Sequence, residues 1–435
     1  MSIAQKFEEF TNNLKIPQDK VETIRNRYEA ITKRLNTDFW NSSSETEHSL
    51  YVGSYGRDTD IKTSDIDVLF WLPLDKKEQY ENYQSNGQSA LLQEIKKSIK
   101  GTYPKTKIKA DGQVVVVDFS DGICFELLPC FKDEEDNDTF WYVDTHNGGK
   151  WRKTKPRLER DEIREKNNEW KGNLKRLCRM ARAWRDDAGV SMGGLLIDTF
   201  AYNFLKNWEY KDKSFAYYDW MIRDFFEFLS KQDDTQKYWL AVGSNQQVYN
   251  KGKFKRKAKI AHKLALEAIE YEEKQQEYSA NEKWRDIFGK VFPKAIISTE
   301  SLKEYSYENT EEFIEDKFSI DIKFDLKIDC EVSQKHSLMN NLLSVFLQKN
   351  IKLPKSRELK FYISEIDISE PYDIYWKVLN RGSEAKIRKM IRGQINKGNK
   401  TQQEHTDFMG NHYVECYIVK NNVVVARDRI DVPIE

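Results

Sequence analysis

A glycine-rich segment followed by a pair of aspartates constrains the fold of this chain most strongly. Gly53-Ser54-Tyr55-Gly56-Arg57 predicts a tight turn, and Asp65-Ile66-Asp67 opens a run in which apolar residues occupy every second position. Because side chains alternate along a strand, both carboxylates are expected on one face. The sequence therefore predicts a turn that leads into a core strand with an acidic end.

The residue types in this segment indicate phosphate and metal chemistry. The backbone N–H groups of a small turn at Gly53, together with the Ser54 hydroxyl, suit the phosphates of a nucleoside triphosphate. Asp65 and Asp67 have the spacing to bridge two divalent cations about 3.5–4 Å apart. An ordinary surface strand is the alternative for the aspartate pair alone. The turn before it favours a nucleotidyltransferase site.

A third carboxylate is expected on a neighbouring hairpin. The apolar runs 113–119 and 123–129 flank Ser120-Asp121-Gly122, a strong turn signal. Glu126 interrupts the second run, where a buried carboxylate would be costly without a partner, so we favour it as the third metal ligand. Asp118 is the alternative ligand, although its place beside the turn is typical of a solvated strand end.

A predicted helix supplies candidate cations for a triphosphate. Lys175, Arg179 and Arg182 fall on one helical face, separate from an apolar stripe. A solvated basic face is the alternative, and Lys175 and Arg182 are the favoured triphosphate contacts. Tyr217 and Tyr218 are candidates for stacking on a nucleobase, with core packing as the alternative.

Composition is that of a soluble protein of several domains. The chain has 435 residues, of which 39% are hydrophobic and 33% charged. Lys+Arg and Asp+Glu both number 71, which argues against wholesale wrapping by nucleic acid and leaves a local basic groove open. Five scattered cysteines indicate reduced thiols, and the absence of a signal-like or membrane-spanning run favours a cytoplasmic protein without a membrane partner.

The periodicity changes along the chain and predicts an α+β protein. Residues 1–155 read as a mixed sheet preceded by a long helix, and 156–293 as a helical lobe that completes the cleft. Residues 294–316 have no firm periodicity and fit a linker. In 317–435, apolar residues alternate strictly, as in one long strand from 318 to 332, which favours an antiparallel β-sandwich.

The motifs together resemble those of a known enzyme family. The Gly53–Arg57 turn, Asp65–Asp67 and Phe125–Pro129 are similar to those of the bacterial CD-NTases, the SMODS-domain relatives of cyclic GMP-AMP synthase and oligoadenylate synthetase found in antiphage CBASS operons. Further matches lie at 147–152, 174–184 and 193–196. Residues 375–382, 392–395 and 410–415 resemble the AGS-C domain, a proposed sensor.

The resemblance implies a polymerase β-like nucleotidyltransferase core and a role for each matched residue. Asp65, Asp67 and Glu126 would hold two Mg²⁺ ions, with Mn²⁺ as a substitute. Gly53 and Ser54 would form the loop for the donor phosphates. The resemblance also implies that Lys175 and Arg182 contact the triphosphate. Related enzymes commonly carry Asp where this chain has Glu126, which leaves Asp118 open as the ligand.

The resemblance also implies the reaction and its partners. Ribonucleoside triphosphates, ATP or GTP and also pyrimidines, would be joined into a cyclic di- or trinucleotide with release of pyrophosphate. An activating ligand or regulatory protein would control synthesis, and the product would act on a separate effector. Two alternatives remain open: a transferase that makes linear oligonucleotides or modifies RNA or protein, and a sensing module that binds its ligand through polar residues of the β domain. Those residues are Arg381, Arg392, Gln394, His412 and Glu415.

Overall fold

The computed structural model describes residues 1–62, 64–250, 252–295, 311–334, 341–388 and 390–435. The helices in these residues are α1 (Ile3–Asn13), α2 (Gln18–Trp40), α3 (Gly53–Gly56), α4 (Leu74–Glu81), α5 (Gly87–Thr102), α6 (Pro156–Glu169), α7 (Asn173–Ala188), α8 (Gly194–Asn207), α9 (Tyr218–Ser230), α10 (Phe254–Glu273), α11 (Glu277–Phe288), α12 (Leu343–Gln348) and α13 (Ser383–Ile387). No helix in the described ranges is both long and apolar enough to cross a bilayer.

The first sheet is mixed, as the sequence predicts. Its strands are β1 (Ser49–Tyr51), β2 (Ile66–Trp71), β3 (Lys107–Asp111), β4 (Val114–Asp118), β5 (Cys124–Lys132), β6 (Phe140–Asp144) and β7 (Lys150–Thr154). They run in the order β1-β2-β5-β4-β3, with β6 and β7 extending from β5. Only the β2–β5 pair is parallel among the described pairings of this sheet, and it places the two acidic strands side by side.

The long amphipathic helix predicted before the turn is present and covers this sheet. In α2, Ile24, Tyr28, Ile31 and Leu35 are buried at helical spacing. They share a core with α5 and with the inward-facing residues of β2 and β5. Asn41 then ends α2 in the left-handed conformation, which asparagine tolerates better than most residues. The buried face of α2 therefore holds this helix against the sheet that contains β2 and β5.

A second core joins the helices α1 and α6–α11. Its largest fully buried side chains include Trp184 on α7 and Trp284 on α11, and Phe7 of α1 packs edge-on against Trp284 with ring centroids 5.2 Å apart. The N-terminal segment therefore belongs to the helical lobe as well as to the sheet. A small hairpin, β8 (Tyr238–Leu240) and β9 (Gln247–Tyr249), lies at its edge.

The C-terminal part is a β-sandwich. Its strands are β10 (Ser319–Ile320), β11 (Leu326–Ser333), β12 (Asn341–Leu342), β13 (Glu358–Ile366), β14 (Asp373–Leu379), β15 (Arg392–Gly398), β16 (Thr401–His405), β17 (Gly410–Lys420) and β18 (Val423–Ile434). One sheet has the order β10-β18-β17-β14-β15 and the other β12-β11-β13-β16. Apolar residues from both sheets, such as Phe361 and Cys416, share one core.

The β17–β18 turn and the segment before β11 can be compared with the pattern of the sequence. Asn421 and Asn422 both have positive φ, which gives β17–β18 the tight turn that matches strand twist. The single strand expected over 318–332 is wrong, because β10 and β11 lie in different sheets and residues 321–325 connect them. Most of the expected linker, 296–310, lies outside the described residues.

Candidate active site

Parallel pairing of β2 and β5 brings two of the predicted carboxylates together. Asp67 lies opposite Glu126 in the register, and Ile66 lies opposite Phe125. Ile66 and Phe125 point into the α2–α5 core. Asp67 and Glu126, the next residue on each strand, therefore face the opposite side of the sheet. Asp65, at the end of the same strand, accepts a hydrogen bond from the Cys124 thiol. The strands therefore assemble an acidic patch on one face.

The two aspartates of this patch have unusually high pKa values. Burial raises the pKa of Asp65 to about 7, with further contributions from the neighbouring charge of Glu126 and then from Asp321. Burial also raises the pKa of Asp67 to about 7, and the charge of Asp65 adds to this effect. Desolvation and like-charge repulsion both disfavour a carboxylate. The patch therefore has more negative charge than its surroundings neutralise.

A divalent cation fits the chemistry of this donor set. In the part of the chain described, no three His, Cys, Asp or Glu side chains already converge on a common point as metal ligands would. The carboxylates repel one another, and hard cations such as Mg²⁺ prefer carboxylate oxygen. Asp65, Asp67 and Glu126 could thus hold a metal, which would also lower the raised pKa values of Asp65 and Asp67.

Gly53 is required by the position of Asp67. Gly53 has φ +60°, and a Cβ built there would lie 1.8 Å from Asp67 Oδ2. The backbone N–H of Val52 donates to the Asp67 carbonyl at 2.9 Å, which fixes the turn to the acidic strand. Ser54 follows in the short helix α3, half-buried beside the patch. The turn and the carboxylates thus form one continuous surface.

A buried ion network anchors the turn from behind. Arg57, at the end of α3, donates from Nε to Asp198 Oδ2 at 2.9 Å and from Nη1 to Glu159 at 3.3 Å. Arg182 donates to both oxygens of Asp198, at 2.6 and 2.9 Å. Asp198 is 0% exposed, and although burial would raise its pKa, Arg182 and Arg57 lower it to about 2. The network ties the turn to α6, α7 and α8.

The network changes the expected role of Arg182. Its side chain is 1% exposed and also donates to the carbonyl of Gly194 at 3.1 Å. Direct contact with a triphosphate would require it to leave these partners. Its charge nevertheless lowers the pKa of Asp67, so it acts on the patch across a short distance. Arg182 therefore has the position of a residue that supports the turn.

Lys175 and Arg179 contact the loop that follows the turn. Lys175 Nζ donates to Asp58 Oδ2 at 2.8 Å. Arg179 donates to the same carboxylate and to the carbonyls of Asp58 and Asp60. The predicted cationic face is thus covered by the loop, and it meets the end of the turn. Of the three cations, Lys175 keeps the most exposed side chain, at 17%.

The structure separates the remaining candidates. Tyr218 is 1% exposed and donates its hydroxyl proton to Asn173 Oδ1 at 2.6 Å, so it packs as a core residue, the alternative to stacking on a nucleobase. Tyr217 is partly exposed and stacks on Tyr210, with centroids 5.2 Å apart. Asp118 shares the face of Glu126 but pairs with Lys107 at the exposed strand end, at 3.2 Å.

Asp198 and Glu159 are not among the site residues that the sequence predicts. Asp198 lies in Leu195-Leu196-Ile197-Asp198-Thr199-Phe200, and a single charge inside an apolar helix is itself a signal of a buried ion pair. That signal predicts a cationic partner without identifying it. Its partner Arg57 lies more than a hundred residues away in the chain, and no local pattern reveals so distant a partner.

Two protein families match most of the chain. Residues 1–167 match the Second Messenger Oligonucleotide or Dinucleotide Synthetase (SMODS) domain. Residues 308–435 match the Adenylyl/Guanylyl and SMODS C-terminal sensor domain, AGS-C. This chain is a bacterial CD-NTase. The match to both families confirms the resemblance inferred from the motifs.

Three proteins similar to this CD-NTase are distant from it in sequence. A probable cyclic nucleotide synthase of Bacillus cereus (strain VD146) is 25% identical over 215 residues, covering 47% of this chain and 62% of the relative. E. coli MS115-1 CdnC, solved with HORMA-deltaN, is 14% identical, with a TM-score of 0.47 over 66% of this chain and 98% of that chain. Vibrio cholerae DncV cyclic AMP-GMP synthase, solved with nonhydrolyzable GTP, is 14% identical, with a TM-score of 0.48 over 65% and 93%.

Proposed function

We propose that this CD-NTase joins ribonucleoside triphosphates into a cyclic di- or trinucleotide and releases pyrophosphate, as part of CBASS antiphage signalling. The observation that carries the proposal is the register pair of Asp67 and Glu126, with Gly53 packed against the Asp67 carboxylate. Phosphate-binding turn and acidic strands are in contact, as nucleotidyl transfer requires. The SMODS match over residues 1–167 supports the same reaction class.

The residues of the candidate active site would bind either the metal ions or the donor phosphates. Asp65, Asp67 and Glu126 would hold two Mg²⁺ ions, or Mn²⁺ in their place, and such ions stabilise the charge that develops on phosphoryl oxygens and lower the pKa of a bound hydroxyl. Gly53 and Ser54 would bind the donor phosphates through backbone N–H groups and the hydroxyl.

Outside this surface, two groups of cations support the reaction. Lys175 lies at the exposed end of the cationic face and would balance the charge of the departing pyrophosphate. Arg57 and Arg182 would hold the turn in place through Asp198. An acceptor 3′- or 2′-hydroxyl would then form a bond to the α-phosphorus as the bond to pyrophosphate breaks.

We further propose the division of the chain that the sequence predicts. Residues 1–155 form the nucleotidyltransferase core, 156–293 the helical lobe that completes the cleft, 294–316 a linker and 317–435 a sensor that responds to an activating ligand or regulatory protein. Lack of activity in the purified protein would then point to a missing activator.

The test is product analysis with matched carboxylate variants. The purified protein is incubated with all four ribonucleoside triphosphates and Mg²⁺ or Mn²⁺, treated with phosphatase and analysed by mass spectrometry. We expect a phosphatase-resistant cyclic product that is lost in Asp67→Asn and Glu126→Gln. Asp118→Asn is the control, because Asp118 lies on the same face but pairs with Lys107, and it is expected to keep the product.

The outcomes separate the alternatives. Loss of product in Asp118→Asn but not in Glu126→Gln would move the third ligand to Asp118. A linear product, or label transferred to an RNA or protein, would contradict cyclisation but leave nucleotidyl transfer standing. Nucleotide binding that survives Asp67→Asn unchanged, without turnover by the wild type, would favour the sensing module.

A further inference from the structure

A cavity of about 200 Å³ lies between the two sheets of the C-terminal sandwich. Its inner walls are apolar, with Phe361 of β13 on one side and Val378 and Val414 on the other. Phe408, from the connection between β16 and β17, lines it as well. An apolar cavity of about 150 Å³ is already large enough for benzene. The space between the sheets therefore has room for a small organic ring.

An ion pair closes the edge of the sandwich beside this cavity. Arg392 and Glu404 both line it, and they lie on β15 and β16, the last strands in the orders of the two sheets. Arg392 donates from both Nη atoms to the carboxylate of Glu404, at 2.5 and 3.0 Å. This two-pronged geometry is the one in which a guanidinium recognises a carboxylate. Glu404 therefore marks where a carboxylate fits at the edge of the cavity.

The backbone holds Arg392 in this position under strain. Arg392 has φ +61°, in the left-handed region that bulky side chains rarely adopt. The register between β14 and β15 also shifts here, because three steps along β15 from Arg392 to Ile395 match two steps along β14. Such bulges re-aim side chains, and strained residues cluster at ligand sites. A strained arginine on the edge of a cavity thus indicates a binding role for its side chain.

The wall of the cavity is continuous with the surface that binds the helical lobe. His412 lines the cavity and is 4% exposed, and its Nδ1 accepts from the backbone N–H of Arg381 at 3.0 Å. The guanidinium of Arg381 in turn pairs with Asp286 on α11 at 2.9 Å. A ligand that moves His412 would therefore act on a contact between the sandwich and the helical lobe.

We propose that this cavity binds a small aromatic carboxylate, with the ring between the two sheets and the carboxylate on Arg392 in place of Glu404. A free inorganic anion would gain nothing from the apolar walls, and a neutral ring would make no use of the guanidinium. A ligand with both parts uses the apolar walls and the arginine together, as in typical small-molecule sites. The inference deepens the proposed function, and it rests on that function for the role of residues 317–435 as a sensor.

The experiment measures the binding of para-fluorobenzoate to the full-length protein without nucleotide. Fluorine NMR line broadening gives its affinity, and para-fluorobenzamide is the neutral probe of the same shape. We expect the wild type to bind the carboxylate more tightly than the amide. Glu404→Gln removes the competing carboxylate and should tighten binding of para-fluorobenzoate about tenfold, whereas Arg392→Met should weaken it to the level of the amide.

Glu331→Gln is the matched control, because Glu331 lies in the same sheet as Glu404 and pairs with Lys360 at 3.6 Å, away from the residues that line the cavity. It is expected to bind the probe as the wild type does. Circular dichroism checks that each variant is folded, and if Arg392→Met is not, the comparison of Glu404→Gln with Glu331→Gln decides.

Three results would overturn the inference: no saturable binding by the wild type and Glu404→Gln, equal affinities of Glu404→Gln for the carboxylate and the amide, or unchanged affinity in folded Arg392→Met. None of these measurements involves catalysis. Failure of the wild type to make a cyclic product would therefore count against the proposed function and leave the binding result as it is.

Discussion

Asp198 is the residue whose loss should damage this CD-NTase most, because two buried cations depend on it. Arg57 and Arg182 donate to its two oxygens, and Thr59 adds a hydroxyl bond at 3.0 Å. Asp198→Asn keeps the shape but removes the charge. Breaking one partner of a buried ion pair costs about 3–5 kcal/mol. At roughly 2–4 °C per kcal/mol, the melting temperature should fall by roughly 6–20 °C.

The pH dependence of stability gives an independent check. The pKa of Asp198 is lowered to about 2 from an ordinary value of 3.8. A lowered pKa means that the charge contributes stability above the unfolded-state value, and that this contribution disappears as pH falls through the folded-state value. The shift of nearly two pH units corresponds to about 2–3 kcal/mol. The wild type should therefore lose this stability between about pH 5 and pH 2, and Asp198→Asn should not.

Asp219→Asn is the matched control for this experiment. Asp219 is another buried helix carboxylate, but its Oδ1 has no hydrogen-bond partner among the described residues, and burial raises its pKa. Removing its charge is expected to leave stability unchanged or to raise it at pH 7. Thermal unfolding followed by circular dichroism measures all three proteins. The reasoning is refuted if Asp198→Asn melts within 2 °C of the wild type at pH 7.

Three further changes have expected outcomes. Gly53→Ala should reduce turnover at least about a hundredfold, because its Cβ would overlap the Asp67 carboxylate; product formation is measured, and normal turnover would contradict the geometry. Tyr218→Phe should destabilise by about 1 kcal/mol and leave the KM for nucleotide unchanged; a raised KM would restore Tyr218 to the binding site. Asp286→Ala should increase proteolysis between the helical lobe and the sandwich, because it releases Arg381 and Arg429; an unchanged digestion pattern would refute this.

Local pattern predicted the elements that carry the chemistry. Alternation placed Asp67 and Glu126 on the same face of neighbouring strands, with Asp65 just before β2, because burial of one sheet face determines which residues turn to the other. The turn between β17 and β18 is a local feature of the same kind, because it depends on the tolerance of Asn421 and Asn422 for positive φ. Such features depend on residues within one strand or turn, so a single sequence contains them.

Partners distant in the chain were not predictable in the same way. The spacing of Lys175, Arg179 and Arg182 gave the correct helical face, but not the loop at Asp58 that covers it. Arg182 reaches Asp198 because α8 packs beside α7, and helical periodicity cannot specify which helix is the neighbour.

The polar residues of the β domain that were candidates for ligand sensing are partly used for that docking. Arg381 joins Arg429 in binding the buried carboxylate of Asp286 on α11. Glu415 accepts from Arg427 at 3.0 Å inside the sandwich, and burial would raise its pKa, but Lys377 and Arg427 lower it instead. These residues therefore have structural partners in the part of the chain described, which weakens the case for a ligand site built from them.

Buried ion pairs at the domain junction join the sandwich to the helical lobe. Asp428 of the sandwich accepts from Lys257 and Arg256 on α10, and Arg427 lies 3.8 Å from Asp187 at the end of α7. Such pairs gain little net free energy, because desolvation offsets their attraction, but each is satisfied in only one relative placement of the two surfaces. They would therefore fix the orientation of the sandwich more than its affinity.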